Sequence, residues 1–132
     1  MRLFRRRRPE PAGILAIGEH SGDAADYDVF AVGESRFPET FSALWSSASE
    51  DERQHQSMRR WAVLQPVRDP AFGVAEVRVE LGGMTAGYLR PPHLGLVAGL
   101  IDRDNAVAAR VPALVVKGPA GPTVTLRIAA GT

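Results

Sequence analysis

The stretch that most limits how this chain can fold is "AEVRVELGGMTAGY", residues 75–88. Val77, Val79 and Leu81 alternate with Glu76, Arg78 and Glu80, the period of two expected of a half-buried strand. Gly82-Gly83 follows directly and supplies the positive φ angles that a tight two-residue hairpin turn demands. With those glycines as the loop, Leu81 opposes Met84, Val79 opposes Ala86 and Val77 opposes Tyr88. That register predicts Tyr88 on the apolar face. The hairpin is introduced by Asp69-Pro70 and closed by Gly87-Tyr88-Leu89 ahead of the double proline Pro91-Pro92.

The remaining segments supply partners for it. "YDVFAVGES", residues 27–35, alternates as a first strand. In "RFPETFSALWSSASE" the period changes: Phe37, Phe41, Leu44 and Trp45 fall on one face of a helix, with Pro38 suited to the first turn, where its missing N–H costs nothing. The polar "SSASEDERQHQSMRR" reads as a helix end and an exposed loop. "WAVLQPVRDP" is a second strand that must bend, bulge or lie at an edge around Pro66. "PPHLGLVAGLID" places Leu94, Val97 and Leu100 or Ile101 at helical spacing, although Gly95 and Gly99 each weaken that helix by about 1 kcal/mol. "VPALVVKG", the "PAGP" turn and "TVTLRIAA" give a closing hairpin. The expected order is strand, helix, strand, hairpin, helix, hairpin. This predicts a mainly β fold, a small barrel of five or six strands with two short helices, since closure removes open sheet edges.

Charge divides the chain more sharply than its net of +1 suggests. Arg2, Arg5, Arg6, Arg7 and Arg8 face one acid, Glu10, within residues 1–10, and the rest carries eleven basic and fourteen acidic residues, a net of −3. Residues 1–26 therefore read as a flexible basic tail, and 27–132 as one domain, the usual count for a chain of 132 residues. Within the tail, "GILAI" is compatible with an added edge strand or a connector. The run Arg5–Arg8 is compatible with a contact to nucleic acid or an anionic membrane, and with a solvated terminal block. No stretch approaches the roughly 18 apolar residues that cross a bilayer, so membrane insertion is not expected. The absence of cysteine removes disulfides and thiolate sites and fits a cytoplasmic location.

Catalytic patterns are missing. There is no nucleophile elbow, phosphate-cradling loop or paired-histidine motif, and His20, His55 and His93 lie far apart, so neither an enzyme, a metal nor a cofactor is expected. Ser35 has no histidine that spacing would bring to it and reads as a turn or helix cap. The acids Glu50, Asp51 and Glu52 point in different directions and read as solvated surface rather than a cation site. Base stacking needs an exposed ring near a cationic groove, and Arg36 with Phe37 and Tyr88 with Arg90 place such residues at strand ends. His93 sits beside the second of these.

Taken together, "VFAVGESRF", "VLQPVRDPAFGVAEVRVELGGMTAGYL" and "VPALVVKG" to "TVTLRI" resemble the HIRAN domain family, over roughly residues 27–129. The resemblance implies an OB-like or SH3-like β-barrel that recognises DNA, in some members a single-stranded 3′ end, and belongs to repair or processing. Under it, Asp69-Pro70 and Gly-Tyr-Leu become two lips of a groove. Arg36 and Phe37 match the family's basic and aromatic residues after the first strand, Asp69-Pro70 its Asn-Pro phrase, and Tyr88 its aromatic or histidine. Arg68, Arg90 and His93 lie around the same lips in sequence. The chain departs from the pattern at Ala71, Phe72 and Val74, and Asp69 puts a carboxylate where the family has an amide. The expected function is therefore a non-enzymatic module for single-stranded DNA or DNA ends, with Arg36, Phe37, Arg68, Asp69, Tyr88, Arg90 and His93 as its site. The alternative is an accessory barrel that binds a protein partner after losing the groove.

Overall fold

A computed structural model describes residues 13–128 of the chain; the arginine run Arg5–Arg8 lies outside the described residues. Strands β1 (Ile14–Ala16), β2 (Val29–Phe30), β3 (Ser57–Asp69), β4 (Gly73–Leu81), β5 (Met84–Tyr88), β6 (Ala108–Gly118) and β7 (Gly121–Leu126) join helices α1 (Pro38–Ser46), α2 (Glu50–His55) and α3 (Pro91–Arg103). Six strands form one antiparallel path in the order β2-β7-β6-β3-β4-β5, and β1 pairs in parallel with the start of β6. The result is a strand-rich mixed α/β architecture, a curled half-barrel sheet with three helices.

The curl originates in β3. Residues 57–64 pair with β6, residues 63–69 pair with β4, and only Val63 and Leu64 have a neighbour on both sides. One long strand thus serves two ladders that diverge from its midpoint. Pro66 falls just past the point where β6 has left, so the donor it lacks belongs to no ladder on that side. A register shift after Val67 adds a further bend. The curl brings the two ends of the path together: Val32, just beyond β2, exchanges backbone hydrogen bonds of 2.9 and 2.8 Å with Tyr88 at the end of β5.

The concave side holds the core. Leu64, Val77, Val79, Leu81, Val111, Val115, Val124 and Leu126 are fully buried there, together with Phe41 and Leu44 from α1 and Val97 and Ile101 from α3. Both helices begin with proline in the first turn, and α1 is pinned to β5 by the Thr40 hydroxyl, which donates to the Thr85 carbonyl at 2.6 Å.

Three features differ from expectation. The hairpin keeps Leu81 opposite Met84, but Val79 opposes Gly87 and Arg78 opposes Tyr88, because Ala86 is an extra residue in β5. Such a bulge reverses which face the following side chains occupy. Tyr88 accordingly leaves the apolar face and is half-buried, while Ala86 is fully buried. The segment expected to be a loop contains α2, which makes three helices where two were expected. Its six residues, "EDERQH", carry no apolar stripe and are held by a capping box: Ser49 Oγ accepts from Glu52 N and the Glu52 carboxylate accepts from Ser49 N. The first strand, expected over 27–35, is reduced to Val29–Phe30 and the bridge at Val32. Finally, of the two alternatives open for "GILAI", the added strand is taken as β1, on the tail side of residue 27, with Ile17 buried beyond it.

Candidate nucleic-acid interface

The meeting point of the two sheet ends is also where the aromatic and cationic residues gather. Gly33 adopts φ +85°, and a Cβ there would stand 3.4 Å from the Tyr88 ring. On the other side, a Cβ on Gly87 would come within 2.8 Å of the Val32 carbonyl oxygen, closer than the backbone allows. The two glycines let Val32 and Tyr88 pair and let the chain turn back over the tyrosine. The tight turn Glu34–Arg36 follows. It carries the Arg36 guanidinium to 5.6 Å from the Tyr88 ring centroid, within cation–π range. Phe37 packs on the same ring at 5.7 Å and a 58° tilt.

The one carboxylate in the turn is directed elsewhere. Glu34 accepts a hydrogen bond from the Val124 backbone N–H at 3.0 Å, which ties the turn to β7. Arg36 and Arg90 are exposed and belong to no ion pair among the described residues. Arg60, Arg68 and Arg78 each face a carboxylate. Ser35 sits in the same turn, and its hydroxyl has no hydrogen bond among the described residues. Of its two expected readings, turn or helix cap, it takes the turn; Phe37 occupies the N-cap of α1.

The expected site residues divide into two groups. Arg36, Phe37 and Tyr88 are in contact. Arg90 is two residues past Tyr88 and caps α3, its carbonyl accepting from the backbone N–H groups of His93 and Leu94 at 3.0 and 2.9 Å. His93 is half-buried one turn into α3, and its Nδ1 is buried with no partner among the described residues. Arg68 and Asp69 stand apart from this group. Arg68 pairs at 2.7 Å with Asp102, near the far end of α3, about 18 Å along the helix from Arg90 at 1.5 Å per residue. The Asp69 carboxylate accepts from the N–H groups of Ala71 and Phe72 at 2.7 and 3.2 Å. It is the acceptor of an Asx turn, a duty an asparagine oxygen performs equally well. Phe72, at the tip of that turn, is 86% exposed.

A second aromatic cluster on the convex face was not expected. Trp61 on β3 opposes Pro112 on β6, and Val63 opposes Arg110, so that Arg110 covers the indole at 4.3 Å. The His20 ring meets the edge of Trp61 at 4.8 Å, and its Nδ1 lies 2.7 Å from the Tyr27 hydroxyl. Arg59 sits over the Tyr27 ring at 5.6 Å and donates to the Ser21 and Gly22 carbonyls. Burial, and secondarily the positive charge of Arg59, holds the His20 imidazole below its usual pKa. Arg59 and Trp61 share a face by simple alternation, a signal present in the sequence, but Arg110 joins them only through register.

Among the described residues no group of three or more His, Cys, Asp or Glu converges to hold a metal ion, and no helix is long and apolar enough to cross a membrane. No protein-family model, no curated protein and no solved structure matches the chain.

Proposed function

We propose that this chain is a HIRAN-like, non-enzymatic module of the OB-like or SH3-like barrel type that binds single-stranded DNA or DNA ends and acts in DNA repair or processing. The observation that carries the reading is the unpaired Arg36 guanidinium lying over Tyr88 with Phe37 against the same ring. In this reading the half-exposed rings of Phe37 and Tyr88 take stacked bases, and the cation beside them meets the phosphate that accompanies each base. Arg90 extends the positive charge along the rim, and His93 adds a ring one helical turn further on. Arg68 and Asp69, at the opposite end of α3, would meet DNA only as a separate contact.

Titrating the full chain with a short single-stranded oligothymidylate tests the reading. Binding is expected to weaken steeply between about 50 and 200 mM salt, as phosphate neutralisation requires. Arg36→Gln should reduce the salt slope by about 1, and Tyr88→Ala should weaken binding about tenfold or more. Removal of residues 1–10 separates the contribution of the basic tail. No binding at low salt overturns the proposal.

The alternative, a protein-binding accessory barrel, is favoured by the exposure of Phe72 and Phe30, at 86% and 58%, because large exposed apolar side chains suit a protein partner. Recovery of one stoichiometric protein that survives nuclease treatment and is lost in Phe72→Ser would support it. Recovery of nucleic acid alone would reject it.

A further inference from the structure

A cleft of about 790 Å³ lies between α1 and the β6–β7 hairpin, a volume in the range of small-molecule sites. Pro38, Phe41 and Trp45 form one wall, spaced three and four residues apart on a single helix face, and Pro119 and Pro122 form the other. These walls are flat and apolar. The hairpin wall is fixed at its base, where the Lys117 N–H donates to the Gln56 carbonyl at 2.9 Å, with Gln56 in the left-handed region at φ 53°.

The rim is positive. Lys117 and Arg53 both line the cleft, and no carboxylate does. The Lys117 ammonium stands 6.0 Å from the Trp45 ring centroid, and Arg53 is held across the end of α1 by donating to the Ser46 carbonyl at 3.1 Å.

We infer that this cleft binds a small planar anion, an aromatic ring carrying a carboxylate or phosphate group. The ring fits between the Trp45–Phe41 wall and the two prolines, while the anionic group accepts from Lys117 and Arg53 at the rim. The same chemistry is offered by a free aromatic acid and by a single nucleotide. The site is separate from the Arg36–Tyr88 cluster and does not depend on DNA binding there.

Calorimetric titration of the full chain with 2-naphthoate, thymidine 5′-monophosphate and uncharged 2-naphthalenemethanol tests the inference. At least one anion should bind saturably, and 2-naphthoate, if it binds, should do so about tenfold or more tightly than the alcohol, as expected of a charge-assisted contact. Lys117→Gln, at an exposed position, should weaken the anion about five- to tenfold. Trp45→Ala removes the aromatic part of the wall and should also weaken it, whereas Trp61→Phe should leave binding unchanged. Binding of the nucleotide alone would identify the source of the ring, and binding of 2-naphthoate alone would identify a free acid. Failure of both anions to bind, equal affinity for the alcohol, or indifference to Lys117→Gln would overturn the inference.

Discussion

The molecule carries two arginine–aromatic clusters of nearly the same composition, and they are wired differently. On the convex face, the Tyr27 hydroxyl meets His20 Nδ1 and the Ser21 backbone, and Arg59 donates to two carbonyls. The His20, Tyr27 and Arg59 heads are engaged in fastening residues 20–27 to the sheet, while Arg110 only covers the Trp61 ring. At the junction of the sheet ends, Arg36 and Tyr88 contact each other through ring and guanidinium alone, and among the described residues neither head group has a hydrogen-bond partner. Identical chemistry is used as a fastener in one place and left with free hydrogen-bonding capacity in the other. Composition therefore does not distinguish a clasp from a cluster with free head groups; the hydrogen bonds of Tyr27, against their absence at Tyr88 among the described residues, do.

The sharpest way to break this comparison is to truncate one tyrosine from each cluster. Tyr27→Ala should destabilise the fold by about 3 kcal/mol, since it empties a buried aromatic site. Tyr88→Ala should cost the fold less and DNA affinity more. Equal losses of stability in urea melts would erase the distinction. Next in size, Gly87→Ala should cost about 2 kcal/mol, because the new methyl group meets the Val32 carbonyl at 2.8 Å and must push the sheet ends apart. Oligonucleotide binding by the refolded variant then reports whether that junction positions Arg36.

A smaller effect is expected at α2. Hydrogen bonding from Arg60, and next from the Ser49 backbone, holds the Glu52 carboxyl at about 2, against the usual 4.5. A carboxylate whose folded pKa is depressed adds stability above its unfolded pKa, and that stability is lost as pH falls from 4.5 toward 2. Glu52→Gln should lower stability at neutral pH by about 1 kcal/mol, as suits a partly exposed pair with a capping role. It should also flatten the acid dependence across that window in denaturant melts. The least effect is expected from His20. Its lowered pKa makes the folded state disfavour the charged form, so its contribution is complete above 6.5 and declines as pH falls through that value toward the folded pKa. His20→Asn should remove this slope just below pH 6.5, and an unchanged slope would show that another group titrates there.

Local pattern made several elements legible. Gly82-Gly83 with flanking alternation is enough for a hairpin, and both glycines adopt positive φ, 60° and 81°. The helical spacing behind Pro38 and Pro91 is enough for α1 and α3. In α2 the apolar period is missing and the readable signal was the capping box from Ser49 to Glu52, a motif of four residues. The bulge at Ala86 has no such signature. One extra residue in a five-residue strand is set by what β4 and Val32 each demand of β5, and it alone turns Tyr88 from the core toward Arg36. The division of β3 between two ladders, and the pairing of Arg68 with Asp102 at the end of α3 far from Arg90, likewise depend on partners distant in sequence.

The amino-acid sequence by itself thus determined the central hairpin, the helices behind Pro38 and Pro91, and which residue types are available for a site, because periodicity, glycine φ and proline geometry act over a few neighbouring residues. Only the tertiary structure decided which of those residues meet. Register, bulge and curl are cooperative properties of paired strands, and a one-residue difference in pairing moves a side chain from one face of the sheet to the other.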